Sequence, residues 1–169
     1  FPTINYSKYD FVRYEFLYNP KEYNRGWGYN VAVKYFCESK VVVLMDTDVL
    51  TGSNFVADVR DCYIGKFDII SPYQNIYYTD KEEADSIFLT KSFNHLVDTQ
   101  KIKNPVTITG GMVIFNRKCY LELKGFEQYI GYGCEDRSLD VMSMSLVDIS
   151  RIKISPFVYI HLYHPSDQI

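Results

Sequence analysis

The 169-residue sequence lacks any unbroken apolar run approaching the roughly 20 residues needed to cross a bilayer. It also lacks a basic surplus: 18 Lys and Arg against 21 Asp and Glu leave a net charge of −3, with the basic side chains scattered along the chain. Nucleic acid is therefore set aside as a partner. Cysteine is scarce. Cys37, Cys62, Cys119 and Cys134 stand far apart and form no CxxC pair, which fits a reduced, cytoplasmic setting better than a disulfide framework. There is no internal repeat and no linker that would divide the chain, so residues 1–169 read as a single domain of ordinary globular composition.

What the sequence has in excess is tyrosine, 16 residues of it, many in polar stretches. Flat amphipathic rings suit sugar binding, because a ring face packs on the C–H face of a pyranose while the hydroxyl still finds a hydrogen bond. A coding bias toward Tyr, Asn, Lys and Ile gives the same count. Alternating side chains in residues 10–17 (DFVRYEFL) predict a half-buried strand, and residues 24–38 a helix. A buried strand follows at residues 41–45. Ser53 or Asn54 is placed to cap a helix with Phe55, Val56, Val59 and Tyr63 on one side, and residues 67–70 form a further strand stopped by Ser71-Pro72. Residues 80–100 read as a peripheral helical excursion. A short strand at 112–115, a helix at 117–124 ended by Gly125, a helix from 135 to about 148 and a last strand at 157–160 complete the pattern. Strands alternating with helices predict an α/β fold with a mixed, mostly parallel sheet flanked by helices.

Three stretches carry chemistry. "VVVLMDTDVL" drives an apolar strand to its end and finishes it with Asp46 and Asp48. Ligands of open α/β sheets bind beyond the carboxyl ends of strands, and two carboxylates this close repel unless a cation lies between or near them. A helix cap or a turn would use the same residues. "YIHLYHPSD" sets His161 and His164 three apart, near enough to share one ion if the chain turns, and imidazole suits Mn²⁺ or Zn²⁺ better than Mg²⁺. Two ordinary histidines would look alike. "GYGCEDRSLD" opens a helix with Glu135 and Asp136, where the helix dipole favours negative charge and where an ionised carboxylate is also a good general base.

Taken in order, five segments resemble the GT-A glycosyltransferases, most closely the β-1,4-galactosyltransferase group and its relatives among bacterial polysaccharide synthases. "YNRGWGYNVA" is similar to that family's FNRAxxxNVG, "MDTDVL" to its DxD and "GKFDIISPY" to its KFxFxxPY. "TGGMVIFNRKCYLELKGF" resembles GGVxxxxxxxFxxxNGF, and "GYGCEDRSLD" resembles GWGGEDDD. The resemblance implies that Asp48 holds the metal, with His161 and His164 at the positions of a Met and a His ligand, and that Asp46 lies nearer the nucleotide ribose. Arg25 and Lys66 match residues that touch the donor phosphates. Asp136 matches the general base, Glu135 a holder of the acceptor sugar, and Tyr132 a tryptophan on the loop that closes over the donor. Gly110 and Gly111 would let the backbone approach the donor sugar. Ile108 replaces a tyrosine of the galactose enzymes, making room for an N-acetyl group, and Arg137 departs from the acidic run, either balancing its charge or reading an anionic acceptor such as a uronic acid.

The resemblance further implies a first strand and helix, of the form IVPFRNR, ahead of residue 10. Only nine residues stand there, so the expectation is a chain truncated at its N-terminus. The function expected is a metal-dependent, inverting transfer of galactose or an N-acetylhexosamine from a UDP-sugar (UDP-Gal, UDP-GalNAc or UDP-GlcNAc) to a saccharide or lipid-linked glycan, as in polysaccharide biosynthesis. Manganese is the first expectation for the metal and magnesium the second. The place of action would be cytoplasmic, at a membrane periphery if the acceptor is lipid-linked. The alternative is a non-catalytic carbohydrate-binding or interaction module derived from the same fold.

Overall fold

The computed structural model describes residues 16–19, 24–93, 96, 98–104, 107–129 and 134–165. The helix predicted at 24–38 is α1 (Arg25–Val31), continued by a π-type turn at Ala32–Phe36. Asn24 starts it by accepting from the Trp27 N–H, a side-chain cap for one of the free donors at a helix start. Asn30 then fixes α1 laterally. It donates to the Phe126 carbonyl at 2.8 Å and accepts from the Phe126 N–H at 3.0 Å and the Tyr120 hydroxyl at 2.7 Å. A side chain at Gly26 would meet the Phe126 Cβ at 2.9 Å, so only glycine allows this approach.

The strand read from "VVVLM" is β1 (Val41–Met45), followed after a turn by β2 (Val49–Leu50). Next come α2 (Phe55–Tyr63), β3 (Ile69–Ser71), β4 (Asn75–Tyr78), α3 (Lys81–Thr90) and β5 (Ile102–Lys103). The chain continues through β6 (Met112–Asn116), α4 (Arg117–Glu122), α5 (Glu135–Leu146), β7 (Ile152–Ile154) and β8 (Val158–His161). The strands form two four-stranded sheets, ordered β1-β6-β3-β7 and β2-β8-β4-β5.

Both sheets are mixed, and the expectation of mostly parallel pairing is corrected. Among the described residues only β3·β7 and β4·β8 pair in parallel; β1·β6, β3·β6, β2·β8 and β4·β5 are antiparallel. Strands β1, β3 and β7 do point the same way, and β6 runs against them between β1 and β3. The cause lies in the excursion between β3 and β6. Residues 72–111 leave the first sheet at the carboxyl end of β3, build β4, α3 and β5 there, and return at Gly110-Gly111 beside the carboxyl end of β1. A strand that re-enters where the previous one left has to run back.

The expected helix at 80–100 shortens to α3, whose start is a full capping box: Asp80 accepts from the Glu83 N–H and Glu83 accepts from the Asp80 N–H. The helix expected at 53–63 exists as α2, but its buried face is not the one expected. Asp58 and Cys62 are buried, while Val56 and Tyr63 face solvent. Asn54 makes no cap hydrogen bond; its amide donates to Asp58 Oδ2 at 2.6 Å and the Pro72 carbonyl at 2.8 Å. Lys153 on β7 reaches Asp58 at 2.7 Å and Ser155 reaches it at 2.9 Å. This buried polar cluster sets the rotation of α2. Of the strand predicted at 10–17, residues 10–15 lie outside the described residues, and Phe16 and Leu17 are not in a strand.

The main core lies between the first sheet and the helices, with Ile69, Val113, Phe115 and Leu139 fully buried beside Tyr120, Leu123 and Phe126. The floor under the Gly110-Gly111 return is aromatic. Tyr73 and Tyr159 pack edge to face with centroids 4.1 Å apart, and the Tyr73 hydroxyl donates to the Gly110 carbonyl. Among the described residues no helix is long and apolar enough to cross a membrane.

Candidate functional site

The turn after β1 joins the two sheets and divides its two aspartates between two clusters. The Asp46 N–H donates to the Gly111 carbonyl at 2.8 Å, carrying the β1·β6 ladder one residue further. The chain turns at Thr47 and Asp48, and β2 pairs Val49 with His161 of β8. Their Cα atoms are at most about 7 Å apart along the chain, yet Asp46 and Asp48 face different partners.

Asp48 meets the two histidines. Its Oδ2 lies 3.7 Å from His161 Nε2 and 3.3 Å from His164 Nε2, and one donor atom from each of the three residues falls within 4.8 Å of the others. The turn that brings the histidines together is held by Thr79. The Thr79 N–H donates to the His161 carbonyl at 3.0 Å, and its hydroxyl accepts from the Tyr163 N–H at 2.8 Å. The His161 ring packs at 5.1 Å from Tyr78 and 5.4 Å from His164. The Leu162 N–H closes on the Asp48 carbonyl at 2.8 Å. An ion pair with imidazolium would account for Oδ2 alone. Among the described residues the buried Asp48 Oδ1 has no hydrogen-bond partner, and a buried carboxylate oxygen left alone costs free energy that a cation would recover. One carboxylate and two imidazoles make a donor set that fits a divalent transition ion.

Asp46 belongs to the second cluster, assembled around Arg25 on α1. The guanidinium reaches Asp46 at 2.9 Å through Nη1, and through Nη2 it reaches Asp136 at 2.6 Å and Glu135 at 3.2 Å. Tyr29, one helical turn after Arg25 and so on the same face, donates to Asp46 Oδ1 at 3.0 Å. Three carboxylates surround one guanidinium, so the cluster keeps an excess of negative charge. Burial works against the Arg25 charge, but Asp136 and Asp46 outweigh it and hold its pKa above the ordinary value. Burial also raises the Asp136 pKa, an effect that Arg25 opposes. Asp136 Oδ1 takes the Arg25 bond, and Oδ2 accepts no hydrogen bond among the described residues. Arg25, Asp46, Thr109, Gly111 and Asp136 line one crevice with no room for a water molecule.

The Gly110-Gly111 return closes against protein. A Cβ at Gly110 would meet Thr107 Oγ1 at 2.6 Å and Asp136 Oδ2 at 3.4 Å, and one at Gly111, whose φ is +72°, would run into the Tyr159 hydroxyl. Close approach is thus required by the fold itself as well as by any ligand above it. Ile108 lies next to this return, its N–H bound to Asp140 at 2.8 Å.

The structure therefore brings together Asp48, His161 and His164 as one group, and Arg25, Asp46, Gly110, Gly111, Glu135 and Asp136 as a second, joined through the turn at Thr47. It does not bring Lys66 to either. Lys66 precedes β3, whose Ile69 pairs with Phe115 at the end of β6 where Val41 opens β1. That is the far end of a five-residue strand from Asp46, roughly 16 Å away. There Lys66 is an exposed charge beside Asp61 at 3.6 Å. Arg25, expected on donor phosphates, is instead committed to carboxylates. Tyr132 lies outside the described residues.

Asp140, Thr79 and Tyr29 escaped the sequence reading. Asp140 had a usable signal, because it sits four residues after Asp136 on the same helix face. No protein-family model and no curated protein matches this chain.

Proposed function

We propose that the protein is a metal-dependent, inverting glycosyltransferase that moves galactose or an N-acetylhexosamine from a UDP-sugar to a saccharide acceptor. One observation carries the proposal: a three-residue turn delivers one aspartate to a pair of histidines and the other to a helix start bearing a half-buried carboxylate, Asp136, with one oxygen on Arg25 and one open. The ordered resemblance of five segments to the β-1,4-galactosyltransferase group supports it independently.

A divalent cation held by Asp48, His161 and His164 would supply positive charge to offset the diphosphate leaving group. Manganese and other imidazole-tolerant ions suit this set better than magnesium. Asp136 uses its open Oδ2 to take the proton of the acceptor hydroxyl as that oxygen bonds to the anomeric carbon. The bond from the anomeric carbon to the UDP oxygen breaks in the same step, with its electron pair leaving on UDP. Arg25 keeps Asp136 ionised and aimed, and Asp46 and Glu135 offer acceptor oxygens to sugar hydroxyls. A cation at the histidine group would meet the positive requirement at the diphosphate, so Arg25 need not leave its carboxylates.

Calorimetric titration of UDP with and without Mn²⁺ tests the first half. Metal-dependent binding that His164→Ala abolishes is the expected result. Turnover of UDP-sugars with saccharide acceptors tests the second half: Asp136→Asn should retain UDP binding and lose about 10²-fold or more in kcat. Glycan binding without metal-dependent UDP binding would instead identify a carbohydrate-binding module.

A further inference from the structure

We propose that Asp140 is a positioning residue that locks the 108–111 return to the first turn of α5, so that the wall beside the donor sugar and the Asp136 carboxylate are held as one rigid unit. The inference rests on the transferase reading above and adds to it the residue that couples choice of donor sugar to the base.

The geometry is specific. Asp140 Oδ2 accepts from the Ile108 N–H at 2.8 Å, and Oδ1 accepts from the Thr109 N–H at 3.1 Å and the Thr109 hydroxyl at 2.7 Å. The Thr109 hydroxyl also lies 2.9 Å from the Asp136 carbonyl, so its single proton is shared between the two aspartates' oxygens. Thr109 is only 3 % exposed. Both oxygens of one carboxylate are thus spent on two successive residues of the return, while the same return presents Gly110 and Gly111 to Asp136 and Asp46. The Asp136 Oδ2 lies 3.4 Å from where a Cβ of Gly110 would stand, so a shift of the return by an ångström changes the space in front of the base. Asp140 touches none of the reacting atoms and acts through Thr109 and Ile108.

A carboxylate is needed because it accepts on both sides. In Asp140→Asn one oxygen becomes an amino group, which must face either the Ile108 N–H or the Thr109 N–H, donor against donor. The shape is kept and the clamp is lost. Thr109→Val removes the hydroxyl link with little change in volume, and Thr109→Ser keeps it.

The test compares the four proteins as full chains with UDP-GalNAc and UDP-Gal. Asp140→Asn and Thr109→Val are expected to lower kcat by about tenfold to a hundredfold and to narrow the ratio of kcat/KM between the two donors, with Thr109→Ser close to wild type. Metal-dependent UDP binding should stay within about twofold of wild type, because Asp48, His161 and His164 are untouched. Amide exchange at Ile108 and Thr109 should speed up in Asp140→Asn. Unchanged kcat and donor ratio in both clamp variants, with a transferase-active wild type, overturns this inference alone. Loss of UDP binding and of kcat in parallel also overturns it, since that pattern means general support of the fold. A wild type that turns over no UDP-sugar overturns the transferase reading and this inference together.

Discussion

At the scale of single residues, what matters is which oxygen is spent and which is free. Asp136 has one oxygen on Arg25 and one open, and its pKa is raised first by burial and then held back by the guanidinium. A base must be ionised to act, so kcat/KM should fall as pH drops through a value above the ordinary carboxylate range. Arg25→Met removes the charge that favours the ionised form, and the acidic limb of the pH profile should move to higher pH still. A limb that stays put or moves down would mean that Asp136 is not the titrating base. The grouping of Asp48 with His161 and His164 was legible at this scale because histidine is rare and chemically marked, and two of the three histidines fall together. Lys66 was not, because a lone cation says nothing about which end of a strand it occupies. Asp140 shares a helix face with Asp136, but that spacing does not show that its carboxylate binds backbone N–H groups.

At the scale of elements, apolar runs gave β1, β3, β6 and β8 to within a residue or two; β3 and β6 are buried on both faces, whereas β1, expected to be buried throughout, turns Val43 and Met45 to solvent. The strands β2, β5 and β7 span only two or three residues each and leave no period to detect. Helix α2 shows a different failure. Its length was legible from its apolar side chains, but its orientation was not, because the residue that fixes it is a buried acid. Asp58 takes Lys153, Ser155 and Asn54, tying α2 to β7 and to the segment after β3. Asp58→Ala should therefore cost about 3 kcal/mol, at the lower end for breaking a buried pair because Lys153 retains Asp61 at 3.1 Å. Urea denaturation measures it. A cost under about 0.5 kcal/mol, the level of an ordinary surface change, would show that the cluster does not hold the helix.

At the scale of the whole molecule, the chain passes between the two sheets at several points, and the proposed metal ligands gather at one of them, the turn from β1 to β2. Asp48 belongs to the turn itself, while His161 ends β8, an inner strand of the second sheet, and His164 follows it. An ion bound there ties the carboxyl end of β1 to the end of β8 in the folded chain only, because no unfolded chain presents the three donors together. Binding to the native state alone stabilises it by about 2.7 kcal/mol at a hundredfold excess over Kd, which for a chain of this size corresponds to roughly 5–10 °C in Tm. Wild-type protein should show that rise with Mn²⁺, His161→Ala and His164→Ala should lose it, and Lys66→Ala should keep it. The mainly antiparallel pairing of the sheets, where alternation of strands and helices predicted mostly parallel pairing, is what makes this coupling possible. The excursion from β3 lays down β4, β8 pairs between β4 and β2 beside the turn, and the antiparallel return of β6 brings Gly111 to Asp46. If the three donors bind no ion, the Mn²⁺-dependent rise will be absent in every variant, and the buried Asp48 Oδ1 must find its compensation elsewhere.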